Sequence, residues 1–63
     1  MMTEQEYKEI HAMLLNLEFI NMHVGYYLAK GDNHKRIDYE RKSTDLSREI
    51  NERLMDLTEW KKS

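Results

Sequence analysis

The chain has 63 residues, 35% of them charged, a net charge of −2, and neither cysteine nor proline. That length allows one small domain, and below about 70–80 residues a single core rarely supplies more than about 3–5 kcal/mol. Without cysteine there is no disulfide and no thiolate metal site; the slightly acidic balance argues against a general nucleic-acid binder, and no apolar run reaches the roughly 18 residues of a membrane span.

Residues 1–6 lack the apolar stretch of a signal peptide, so the expected compartment is cytoplasmic. Thr3 followed by Glu6 is a capping box, with Met2 and Tyr7 at the staple positions on either side. The pattern predicts helix 1 over about 3–30, interrupted by Gly25, which costs about 1 kcal/mol relative to alanine. Gly31 follows the cationic Lys30 and is the expected left-handed stop. A turn at 31–33 follows, with Asp32 or Asn33 capping helix 2, predicted over about 34–61. Lys61 and Lys62 suit that helix's negative end. Four pairs lie four residues apart on its outer face: His34/Asp38, Arg36/Glu40, Asp38/Lys42 and Glu49/Arg53.

The two halves mirror each other. Tyr7/Trp60, Ile10/Leu57, Leu14/Arg53, Leu17/Ile50, Asn21/Leu46, Val24/Ser43 and Leu28/Tyr39 each sum to 67, and the spacing along each half alternates three and four. That is the heptad seam that packs one helix on another, and the constant sum makes the pairing antiparallel. The expected fold is all-α, a coiled-coil-like hairpin forming one domain over 1–63. Asn21 falls on the seam, where a lone buried asparagine fixes register or oligomeric state. Arg53 is expected to lay its stem over the seam and send its head to water or to Glu49.

Helix 1 carries more apolar surface than one seam uses. Its wide face holds Tyr7, Ile10, Met13, Leu14, Leu17, Ile20, Val24, Tyr27 and Leu28. A second, narrower stripe holds Ala12, Leu15, Phe19, Met22 and Tyr26, flanked by His11 and Glu18 on one side and Asn16 and His23 on the other. Helix 2 offers only Tyr39, Leu46, Ile50, Leu54, Leu57 and Trp60. Leaving the stripe in water forfeits roughly 1.5–3 kcal/mol per large side chain, and contiguous exposed apolar surface marks an interface. The hairpin is therefore expected to associate into a dimer or larger helical bundle, or to bind another protein.

Catalytic chemistry has no foothold. His11, His23 and His34 do not share a face, no His-Glu-x-x-His pattern occurs, and the serines have no evident base. No enzyme activity, metal or cofactor is expected. Charge is polarised instead: residues 30–42 carry five positive and three negative side chains, whereas residues 1–29 carry four acids and one lysine. Lys30, His34, Lys35, Arg36 and Arg41 make a basic tip. His34, Lys35 and Arg36 oppose the dipole of helix 2, a local conflict of the kind found at binding sites.

In layout the chain resembles the hairpin co-chaperones of type III secretion systems, which pair with other helical proteins; the likeness is of shape over the whole chain. Short hairpin phosphatases of sporulation regulators carry Ser-Gln-Glu-Leu-Asp in their second helix. The nearest stretch here, Ser43-Thr44-Asp45-Leu46-Ser47, keeps only the serine and leucine and has Ser47 in place of the terminal aspartate. The expected function is a small non-enzymatic protein-binding module (adaptor, co-chaperone or inhibitor) acting through Leu15, Phe19, Met22 and Tyr26. A self-assembling structural oligomer is the alternative, followed by weak nucleic-acid binding through the basic tip.

Overall fold

The computed structural model describes residues 2–58 and consists of α1 (Glu4–Lys30) and α2 (Asn33–Thr58) packed as a hairpin. Both halves of the capping box form: the Glu6 amide donates to Thr3 Oγ1 (3.2 Å), and the Thr3 amide donates to Glu6 Oε1 (2.8 Å). These hydrogen bonds from the Thr3 backbone and side chain hold the Glu6 carboxyl below its ordinary value.

At the other end Gly31 adopts φ 76°, ψ 16°, the left-handed conformation that residues with a Cβ avoid. The Gly31 amide donates to the Leu28 carbonyl (3.2 Å) and the Asp32 amide to that of Tyr27 (3.0 Å), which together form a Schellman motif. Of the two candidate caps for α2, Asp32 takes the role. Its Oδ1 accepts from the Lys35 amide (3.2 Å), so the turn is a residue shorter than the sequence predicts and α2 begins at Asn33.

α2 presents the expected seam. Tyr39, Ser43, Leu46, Leu54 and Leu57 are half-buried and Ile50 is buried, at 5% exposure. Trp60, Lys61 and Lys62 lie outside the described residues. α1 is rotated from its expected setting. Ile10 is buried (6%) and Leu17 and Val24 are half-buried, as the mirror pattern requires, but Tyr7, Leu14, Asn21 and Leu28 are exposed. Glu6, Met13, Ile20 and Tyr27 take their places, each one residue earlier. The substitution has a clear cause. Both sets complete a heptad with Ile10, Leu17 and Val24, but the set observed half-buries Ile20 where the other would enclose the Asn21 amide, and an enclosed amide needs its partners.

The hairpin measures 44 × 23 × 11 Å along its principal axes, so in one direction it is a single helix thick. Among the described residues only Ile10 and Ile50 are buried apolar side chains, and none is below 2% exposure. Among the described residues no helix is long and apolar enough to cross a membrane.

Candidate functional site: the outer stripe of α1 and the aromatic tip

At about 100° per residue, Leu15, Phe19, Met22 and Tyr26 lie on the side of α1 turned away from α2. They are 53%, 59%, 66% and 55% exposed, and Ala12 is exposed in line with them. His11 and Glu18 border the stripe and are also exposed. Gly25 sits beside it in open space, with nothing within 4 Å of where a Cβ would stand. Two shallow concavities mark the ends. Ala12 and Leu15 share one with Glu4, Tyr7, Lys8 and His11; Met22 and Tyr26 share the other with His23 and Tyr27.

Sequence reasoning did not anticipate an aromatic cluster that locks the tip. His23 stacks on Tyr39 (centroids 4.9 Å apart), and Tyr39 stacks on Tyr27 (5.6 Å, 15° between planes). Phe19 and Tyr26 adjoin the group, with centroid distances of 4.5 Å to His23 and 5.1 Å to Tyr27. His23 is aimed by its own helix, since its Nδ1–H donates to the Phe19 carbonyl (2.9 Å). The signal was present in the sequence as aromatic rings at 19, 23 and 27, spaced i, i+4 along α1. The cluster joins the two surfaces: Phe19 and Tyr26 belong to both the stripe and the tip.

Much of the basic tip serves the hairpin itself. Lys30 Nζ lies 5.1 Å over the Tyr26 ring, Lys35 Nζ 5.3 Å over Tyr27, and Lys42 Nζ 4.8 Å over Tyr39. Arg36 is half-buried and donates to Glu40 (2.8 Å), while its Nε is buried without a partner. Asp38 pairs with Lys42 at 3.5 Å. His34 and Arg41 are exposed.

Asn21 is on the surface, which corrects its expected burial, but it does tie the helices together: Ser43 Oγ donates to Asn21 Oδ1 (2.6 Å). Arg53 reaches across the hairpin to Glu9 and pairs with it through Nη2, in place of the expected Glu49, while its side chain stays exposed. The rotation of α1 explains the change, because it leaves Glu9 half-buried at the helix–helix border. Among the described residues no group of three or more histidines and acids is placed to hold a metal. Comparison with protein-family models, curated proteins and solved structures gives no match.

Proposed function

We propose that this chain is a non-enzymatic protein-binding module of the adaptor, co-chaperone or inhibitor kind, working in the cytoplasm, and that the outer stripe of α1 is its binding surface. One observation carries the reading. Four large apolar side chains, each more than half exposed, stand in one row on a hairpin only 11 Å thick. Water contact over such a row is unfavourable by several kcal/mol relative to burial, at roughly 1.5–3 kcal/mol per side chain. A helix apolar on both sides belongs in an interior.

Affinity capture from the native host with the wild-type chain and with Phe19→Glu tests the proposal. Proteins held by the stripe are lost from the variant while its helical circular dichroism is retained. Recovery of the same proteins with both chains would reject it. The nucleic-acid reading of the tip has weaker support, because Lys30, Lys35 and Lys42 are engaged on tyrosine rings and Arg36 on Glu40.

A further inference from the structure

The stripe is longer than its four prominent residues and has a repeat of its own. Ala12, Leu15, Phe19, Met22, Tyr26 and Ala29 are spaced three, four, three, four and three apart, all six are exposed, and all six are apolar. This is a second heptad seam, turned roughly 160° from the one that meets α2 at about 100° per residue, so α1 has the pattern of a helix gripped from two sides.

From this pattern we infer that the occupant of the stripe in the free protein is the same stripe of a second copy, laid antiparallel, so that two hairpins form a four-helix assembly with the α1 helices at its centre. The inference rests on the reading of the stripe as an interface and names what covers it. Three observations select a second copy in this orientation. The seam is self-complementary: about a two-fold axis, Ala12 meets Ala29 of the partner, Leu15 meets Tyr26 and Phe19 meets Met22, each pair summing to 41, so every layer is apolar. The end concavities exchange under the same operation, which brings each Leu15 to the hollow beside Met22 and Tyr26, and each Tyr26 to the one beside Ala12 and Leu15.

Charge decides the direction. The start of α1 carries Glu4, Glu6 and Glu9 against Lys8, whereas the tip carries five basic and three acidic side chains. Antiparallel pairing sets the acidic start of one copy at the level of the basic tip of the other. A parallel pair would put tip against tip and start against start, like charges facing like. Between Ile10 and Ala29 the only formal charge is Glu18, at the edge of the stripe, and Lys30, whose Nζ lies over the Tyr26 ring, borders the end of the seam.

The absence of cysteine makes the test clean. Light scattering at micromolar concentration is expected to give twice the monomer mass for the wild type and the monomer mass for Phe19→Glu. Under oxidation Leu15→Cys and Tyr26→Cys chains are each expected to stay uncrosslinked alone and to form interchain disulfides when mixed. Equivalent Leu15 positions then lie about 16 Å apart along the axis, at about 1.5 Å per residue, and a disulfide needs Cα atoms within about 7 Å. A monomeric wild type overturns the inference, while the capture experiment above still decides whether the stripe is an interface. Efficient crosslinking of Leu15→Cys with itself overturns the antiparallel order. A Phe19→Glu chain that stays helical and dimeric places the contact elsewhere and overturns it too. The cysteine pair gives an answer even where Phe19→Glu fails to fold.

Discussion

The two helices are nearly equal in length, 27 and 26 residues, yet they are different kinds of helix. α2 has one apolar seam, which the hairpin buries at Ile50 and half-buries at Tyr39, Leu46, Leu54 and Leu57, and an outer face that is charged apart from the exposed Ile37. α1 has an apolar seam on each side and a single formal charge between Ile10 and Ala29. Hairpin formation thus covers the one apolar seam of α2 and leaves the second seam of α1 uncovered: α2 is built for a surface and α1 for an interior.

Four measurements test that contrast. The largest effects belong to the seam the helices share, where Ile10→Ala and Ile50→Ala should each cost about 2–5 kcal/mol in urea unfolding. A loss under 1 kcal/mol at either site would mean the hairpin interface carries little of the stability. On the outer faces the helices should diverge. Phe19→Ser should cost about 1.5–3 kcal/mol under associating conditions, and Arg48→Ser on exposed α2 surface should stay within about 0.5 kcal/mol. Equal effects in thermal melts at matched concentration would erase the distinction.

A smaller term joins the helices through Asn21 and Ser43. A double-mutant cycle with alanine at both should give a coupling of about 1 kcal/mol, and zero coupling would remove that hydrogen bond from the account. The smallest effect is local to the start of α1. Glu6 has its carboxyl lowered from 4.5 by hydrogen bonds to Thr3, so its contribution is present above the ordinary value and lost as pH falls through the lower, folded one. Protection of the Glu6 and Tyr7 amides from exchange, relative to the intrinsic rate at each pH, should fall over that range. In Glu6→Gln, which keeps the capping pattern without a titrating group, it should not.

How far the sequence could be read follows from the same asymmetry. The two ends of α1 and the start of α2 were legible because Thr3, Glu6, Gly31 and Asp32 act locally, through backbone groups within a few residues. The seam of α2 was legible because only one row of apolar residues exists there. The rotation of α1 was not, since Met13/Leu14, Ile20/Asn21 and Tyr27/Leu28 each offer two neighbouring ways to complete a heptad with Ile10, Leu17 and Val24. The choice is made between helices, by rings such as Tyr27 on Tyr39 and by the expense of enclosing Asn21, and periodicity within one helix carries neither. The outer stripe was legible as surplus. The aromatic joining of stripe and tip runs along α1, and only the stacking of His23 and Tyr27 on Tyr39 depended on how the helices meet.

Gly31 gives the chain a second possible outline. The dihedrals at this residue are what separate two antiparallel helices from one continuous rod, and α1, the turn and α2 would together extend about 80 Å at about 1.5 Å per residue. A β-branched residue there strains the left-handed conformation by roughly 1–2 kcal/mol and removes nothing from the straight form. With a core this small, that strain is a sizeable fraction of what holds the bend. Gly31→Val should therefore raise the radius of gyration in X-ray scattering above that of the wild-type chain at the same concentration, as a rod population appears whose helices find their seams on another chain.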